Sequence, residues 1–128
     1  MADWDDVRTL ALALPGAEEY VTRGSLAWRA PKLFVWERPL RTRDIEEIGP
    51  ADGPILGAAV ESEAEKFALI EEDPQVFFTT SHFDGYARIL VRLDRIERGR
   101  LAELIESAWS VVAPAAEVAR YFGDRTAP

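Results

Sequence analysis

The residues best suited to chemistry lie in one stretch of the chain, residues 73–93. This stretch holds the single histidine, His82, directly after Thr79, Thr80 and Ser81. A histidine can transfer protons near neutral pH or bind a ligand, but it can equally hydrogen-bond its own loop. A catalytic triad needs a nucleophile, a base and an orienting group in contact, and adjacency in sequence does not provide that geometry. Hydrolysis at Ser81 and His82 is therefore the last of three hypotheses, and we assign no catalytic residue.

Metal and cofactor sites lack their usual sequence signals. The chain has no cysteine and one histidine, so only carboxylates remain as abundant ligands. The acids of residues 61–73 follow a predicted helix, where solvated charge is the simpler explanation. No glycine-rich phosphate loop of the dinucleotide-binding or P-loop type occurs. We predict no metal and no cofactor.

Aromatic side chains suggest a second kind of site. Several rings could line an apolar groove whose polar groups come from the threonines, His82 and Arg88, and that composition suits a small molecule or a peptide. Core packing is the alternative, and we expect it for Phe34 and Phe77. The candidate ligand-binding residues are Trp28, Trp36, Thr79, Thr80, His82 and Tyr86.

Charge argues against general nucleic-acid binding but leaves local exceptions. The net charge is −8 and the pI is about 4.7, whereas cationic groups that neutralise phosphates supply most non-specific affinity. Residues 23–43 and 88–100 are nevertheless basic. The candidate nucleic-acid-binding residues are Arg29, Lys32, Arg41, Arg43, Arg88 and Arg92. The alternative is that these cations form solvated faces or pair with the acidic helix.

Hydrophobic spacing predicts the elements that carry these residues. Asp3 and Ser62 are suitable N-caps for two helices, and the second helix should bury Phe67 and Ile70. The predicted helices span residues 3–14, 62–72, 101–112 and 114–122, and the predicted strands span 26–29, 32–37, 55–60, 76–80 and 87–93. Residues 17–24 are interpreted as a linker, and residues 38–53 as a long loop with a helical turn at 44–48.

Two strands carry further information. In the second strand, alternation places Phe34 with Trp36 on one face and Leu33 with Val35 on the other. In the third, Gly57 and the alanines after it allow a close neighbour, which we expect to be a packing helix.

The order of elements indicates an α+β protein, a single compact domain with a mostly antiparallel sheet and helices packed on one face. The domain should span residues 1–123, with a frayed tail at 124–128. No apolar run approaches the roughly 20 residues of a membrane span, and the acidic start lacks the basic region of a secretory signal. With no cysteine as well, we expect a cytoplasmic protein without membrane contact. Its oligomeric state stays open.

Four segments together resemble the MmcQ/YjbR family. The segments occur in the order and spacing of the family, the resemblance extends over nearly the whole chain, and residues 38–53 are its least family-like part. The segments are L-A-L-A-L-P-G-A-E-E (10–19), W-R-A-P-K-L-F-V-W (28–36), E-E-D-P-Q-V-F-F-T-T-S-H-F-D-G-Y-A-R-I-L-V-R-L-D (71–94) and L-A-E-L-I-E-S-A-W-S-V-V-A-P (101–114).

This resemblance implies a compact α+β fold in which an antiparallel sheet packs against helices. The family is often labelled DNA-binding-like, from the idea that two wing-like strand units contact DNA, and it has no agreed enzymatic activity. The resemblance and the residues together predict a non-enzymatic binding module of unknown ligand. DNA binding through the basic segments is the first hypothesis, and a small molecule or peptide in the aromatic groove near His82 is the alternative.

Overall fold

An antiparallel sheet forms the centre of the protein in a computed structural model, which describes residues 1–126 and the side chains of residues 1–123. Two short 3-10 helices accompany the longer elements. The helices are α1 (Trp4–Leu12), α2 (Thr42–Ile48), α3 (Glu63–Glu72), α4 (Arg98–Val112) and α5 (Ala115–Thr126), and the strands are β1 (Glu18–Thr22), β2 (Ser25–Arg29), β3 (Leu33–Glu37), β4 (Ile55–Ala59), β5 (Phe77–Phe78) and β6 (Arg88–Arg92).

The strand order is β1-β2-β3-β4-β6-β5, and each neighbouring pair is antiparallel. Helices α1 and α4 pack against each other and on one face of the sheet, with α4 contacting β3 and β4. We call this the covered face, and the opposite side the open face. The arrangement confirms the predicted α+β architecture with helices on one face.

The main core lies between the covered face and helices α1 and α4. Trp28, Val35 and Ile89 are fully buried there, and α4 contributes the apolar stripe predicted from its sequence. Trp109 of α4 also donates its indole N–H to the carbonyl of Pro15 at 2.9 Å. Because fully burying each large apolar side chain contributes about 2 to 3 kcal/mol, this layer dominates the stability of the fold.

Two helices begin at the predicted N-caps. The backbone N–H of Asp6 donates to the Asp3 carboxylate at 3.0 Å, and that of Glu65 donates to the Ser62 hydroxyl at 3.1 Å. The predicted inner face of α3 was wrong in part: Ile70 is partly buried against the main core, but Phe67 is not buried. Lys66 and Leu69 are buried, whereas Phe67 is 52% exposed.

Strict alternation also fails in β3, because its pairing with β2 contains a β-bulge. Trp28 pairs with Val35 but Arg29 pairs with Leu33, so Phe34 is the extra residue. Phe34 therefore joins Val35 in the core under the covered face, while Trp36 and Leu33 lie on the open face. A single inserted residue has shifted the expected pattern of faces.

Three segments differ from their sequence interpretation. Most of the predicted linker is strand β1, an edge strand paired with β2. The predicted turn at 44–48 belongs to the longer helix α2. The backbone of α5 continues to Thr126. Residues 127 and 128 of the predicted tail lie outside the described residues.

Candidate functional site: an arginine-lined cleft on the open face

The open face is built around Trp36, in the middle of the sheet. Its partner in β4 is Gly57, and a Cβ added to Gly57 would lie only 2.3 Å from Trp36 Cε2. The glycine thus lets the indole contact the β4 backbone, so the close neighbour is this ring and not the helix that we predicted. The guanidinium carbon of Arg88 lies 5.0 Å from the ring centroid, within the range of a cation–π contact.

A cleft of about 550 Å³ opens beside this pair, a volume typical of small-molecule sites. Strands β2, β3 and β6 form its base, and the β1–β2 hairpin, the segment after β3 and the 3-10 helix before β6 form its rim. Its lining residues are Thr22, Arg23, Ser25, Leu26, Ala27, Leu33, Trp36, Glu37, Arg38, Pro39, Arg41, His82, Phe83 and Arg88.

Arg38 belongs to the cleft wall but is already paired. Its guanidinium donates to the Asp44 carboxylate at 3.0 Å, and both side chains are almost fully buried. The same carboxylate accepts the backbone N–H of Arg41 at 2.9 Å. Burial acts to raise the pKa of Asp44, but the Arg41 N–H and the charge of Arg38 outweigh it, so the pKa lies below its ordinary value of 3.8. The ion pair thereby fixes the segment that carries Arg41.

The segment with His82 is fastened at two points. Lys66, fully buried in α3, donates to the carbonyls of Phe83 and Tyr86 at 2.8 and 3.2 Å. On the other side, the backbone N–H of Ser81 donates to the Glu47 carboxylate of α2 at 3.0 Å. These bonds hold His82 at the cleft, exposed and edge-on to the Phe83 ring, with the ring centroids 4.8 Å apart.

The cleft is positively charged although the protein is acidic. Four arginines line it against one glutamate, Glu37, whose carboxylate accepts the backbone N–H of Leu26 at 3.0 Å. Asp44 neutralises Arg38. Among the described residues, no carboxylate lies within 4 Å of the guanidinium groups of Arg23, Arg41 or Arg88. Unneutralised guanidinium groups in a concave site attract anions.

The structure separates the six candidate ligand-binding residues. Trp36 and His82 meet in the cleft. Trp28 is fully buried on the covered face, and Thr80 is buried with 1% exposure and does not line the cleft. Thr79 is half-buried, and Tyr86 is 61% exposed but does not line the cleft.

The six candidate nucleic-acid-binding residues also divide. Arg41 and Arg88 line the cleft. On the same face, Arg29 lies over the Tyr20 ring and pairs with Glu18 at 3.7 Å, and Arg92 lies over Phe78 beside a smaller cavity of about 190 Å³. Lys32 and Arg43 are exposed and lie outside the cleft. Parts of both basic segments thus share one surface.

Sequence reasoning missed two cleft arginines as individual candidates, Arg23 and Arg38. Arg23 occupies the first position of a two-residue turn before Gly24, and that turn was hidden because β1 was interpreted as a linker. Arg38 gave no separate signal, since only the three-dimensional position of Asp44 shows that its charge is buried and paired.

Neither catalytic nor metal-binding groups assemble around His82 in the part of the chain that the structure describes. Its imidazole makes no hydrogen bond to a hydroxyl or carboxylate there. Within the same residues, no cluster of three or more histidine and acidic side chains is placed to hold a metal ion. None of the described helices is long and apolar enough to cross a membrane.

Comparisons with known proteins agree with this fold. A family model described as YjbR matches residues 12–111. Uncharacterized proteins of Mycobacterium tuberculosis and Mycobacterium bovis are each 47% identical over 120 residues, which cover 89% of this chain and 91% of theirs. The crystal structure of a Deinococcus radiodurans protein with a DUF419 domain superposes with a TM-score of 0.67 at 21% identity, covering 96% of this chain and 89% of that one.

Proposed function

The chain belongs to the YjbR family, and from this premise we propose that it is a non-enzymatic binding module whose open-face cleft holds a small organic anion. The observation that carries the proposal is the set of cleft arginines without a carboxylate partner among the described residues, Arg23, Arg41 and Arg88. Guanidinium groups bind phosphate and carboxylate groups through paired, charge-assisted hydrogen bonds. The ligand is therefore a metabolite that bears phosphate or carboxylate groups.

This proposal replaces the hypothesis of an aromatic groove with that of a mainly cationic one. Trp36 is only 8% exposed, and Arg88 lies over its ring. The ligand then meets the guanidinium group more than the indole, and the role of Trp36 is to hold Arg88 in place. An apolar peptide is disfavoured, since its side chains would bury unneutralised arginine charge at a cost.

Nucleic-acid binding is the second candidate, and one observation favours it. Arg29, Arg88 and Arg92 lie on the same open face, each beside an aromatic ring. Cations spread over one face of a sheet are suited to contact several phosphates of a nucleic acid. The net charge of −8 opposes it, because affinity for a long polyanion depends on total as well as local charge.

Calorimetric titration and thermal shift separate the two candidates. We expect fructose 1,6-bisphosphate, citrate or adenosine triphosphate to bind at low salt, and a ligand at ten times its Kd should stabilise the fold by about 1.4 kcal/mol. Arg88→Ala should weaken binding about tenfold or more, since it removes a charge-assisted pair. Arg29→Ala is the matched control, because that arginine also lies over a ring but already pairs with Glu18.

The outcomes are distinct. Failure of all three anions to bind the wild type, or equal losses in Arg88→Ala and Arg29→Ala, contradicts the cleft proposal. Duplex DNA that binds at about 50 mM salt, with an affinity that falls steeply as salt rises, supports the second candidate instead.

A further inference from the structure

Arg23 occupies an unusual backbone position at the rim of the cleft. It forms, with Gly24, the two-residue turn between β1 and β2, closed by the pair Thr22 and Ser25. The φ angles of Arg23 and Gly24 are +50° and +78°. Two positive φ angles are typical of the type I′ hairpin turn, whose first position is usually asparagine, aspartate or glycine. An arginine there adopts a left-handed conformation that its side chain disfavours.

Within the part of the chain that the structure describes, the Arg23 side chain forms no ion pair that would explain this strained position. Arg23 is exposed, it lines the cleft, and among the described residues no carboxylate lies within 4 Å of its guanidinium. Asparagine or glycine would close the same turn with less strain. Strain without a packing partner is a feature of functional positions.

The sheet register places Arg23 and Arg88 at opposite corners of the cleft. Arg23 follows Thr22 at one end of the β1–β2 hairpin, whereas Arg88 pairs with Ala59 at the other end of the strands, in β6. Strands β3 and β4 lie between them, and adjacent strands are about 4.8 Å apart. A single phosphate or carboxylate group is therefore too short to neutralise both guanidinium groups.

We propose that Arg23 is a ligand-binding residue and that the cleft takes an organic molecule with two separated anionic groups, one bound at Arg23 and the other at Arg88. This inference rests on the proposed function and specifies its ligand class. Phosphate and carboxylate groups share the required chemistry. The strained turn then serves to bring a cation over the far end of the ligand.

A matched pair of probes tests the two-point geometry. In calorimetric titrations, the wild type should bind fructose 1,6-bisphosphate at least tenfold more tightly than fructose 6-phosphate. Arg23→Asn should lose that preference and bind both probes with nearly the affinity of the wild type for the monophosphate. Arg23→Lys should restore part of the preference, since it returns the charge. Citrate and acetate are titrated as well, to test whether the cleft binds carboxylates, since the carboxylates of citrate lie too close together to reach both arginines.

The melting temperature tests whether Arg23 has a structural role instead. Arg23→Asn should melt at the same temperature as the wild type or a higher one, because asparagine suits the turn. A lower melting temperature, or an unchanged preference for the bisphosphate in Arg23→Asn, overturns the inference while leaving the proposed function standing. If neither the sugar phosphates, nor the carboxylates, nor adenosine triphosphate binds the wild type, both proposals are overturned.

Discussion

Trp28 and Trp36 lie on adjacent strands but in opposite kinds of surroundings. Trp28, on the covered face, is fully buried and its indole N–H donates to the Glu19 carboxylate at 3.1 Å. The Arg8 guanidinium pairs with the same carboxylate at 2.8 Å, so the indole, the carboxylate and the guanidinium all have partners within the chain. Trp36, on the open face, belongs to a smaller apolar cluster and contacts the β4 backbone. The arginine over its ring lacks a carboxylate partner among the described residues.

The difference shows how the two faces of one sheet divide their roles. The covered face satisfies its polar groups internally and supplies the stability of the fold. The open face is held in shape by buried groups at its margin, namely Asp44 and Lys66, but leaves guanidinium groups for a ligand. Mutations on either face can therefore lower stability, but only those on the open face or at its margin should change anion binding.

The largest effect is expected at the margin of the open face, in Asp44→Asn. This change leaves the buried Arg38 charge without its counter-ion, and breaking a buried ion pair costs about 3 to 5 kcal/mol of unfolding free energy. Urea denaturation at pH 7 measures the loss. Asp52→Asn is the control, since Asp52 pairs with Arg95 but is 66% exposed, and a change below about 1 kcal/mol is expected there. Equal losses in the two variants would contradict the role of burial.

The Asp44 carboxylate should also make the free energy of unfolding depend on pH. The pKa of Asp44 is lower in the folded protein than its ordinary value of 3.8, so the folded state binds the proton less readily than the unfolded state. Its contribution to stability is therefore complete above the unfolded value and is lost as the pH falls through the folded value. Denaturation curves between pH 7 and pH 2 should show a weaker acid dependence in Asp44→Asn than in the wild type.

Overfilling the open face should have the next largest effect. Gly57→Val would place a side chain where the Trp36 ring now lies, and overpacking of this kind costs about 3 kcal/mol. Gly99→Ala is the control, since a Cβ there would have no atom within 4 Å and should be neutral or slightly stabilising in a helix. A Gly57→Val protein as stable as the wild type would show that the close contact is unimportant.

Removal of the Lys66 ammonium should loosen one rim of the cleft. Lys66→Met keeps the buried stem but leaves the carbonyls of Phe83 and Tyr86 without this donor, at a cost of about 2 kcal/mol. In the wild type, the amides of Asp84 and Tyr86 donate hydrogen bonds to carbonyls of the segment that holds His82. Hydrogen exchange at these two amides should accelerate in Lys66→Met. Lys32→Met, at an exposed position, should change neither property. Unaltered exchange in Lys66→Met would mean that the ammonium does not fasten this segment.

The smallest effect is expected on the covered side, in Arg8→Ala. Arg8 is 45% exposed and Glu19 27% exposed as side chains, so solvent screens the pair and about 1 kcal/mol or less should be lost. Anion binding in the cleft should not change, because Arg8 does not line it. A loss of anion binding in Arg8→Ala would contradict the claim that binding depends on the open face and not on the covered face.

The sequence predicted what local rules determine. Asp3 and Ser62 begin helices because their side chains accept backbone N–H groups, and the α4 stripe follows helical spacing. The family resemblance and the order of elements were sufficient for the α+β architecture.

What the sequence did not predict depends on contacts between distant residues. The bulge at Phe34 changes which residues share a face. The inner face of α3 depends on two carbonyls, seventeen and twenty residues further along, which accept hydrogen bonds from the buried Lys66 ammonium. Local patterns contain neither contact. The cleft was located in part, through Trp36, His82, Arg41 and Arg88. Trp28 was misplaced because the side of the sheet that the helices would cover could not be known.

The indole N–H groups of Trp28 and Trp36 allow the most direct test of the claim that the open face is the binding surface. In proton–nitrogen correlation spectra, with each signal assigned by Trp→Phe substitution, fructose 1,6-bisphosphate is titrated into the wild type at low salt. We predict that the Trp36 signal shifts in a saturable way while the Trp28 signal stays in place. A shift confined to Trp28, or no shift of Trp36 at millimolar ligand, would contradict the assignment of the open face as the binding surface.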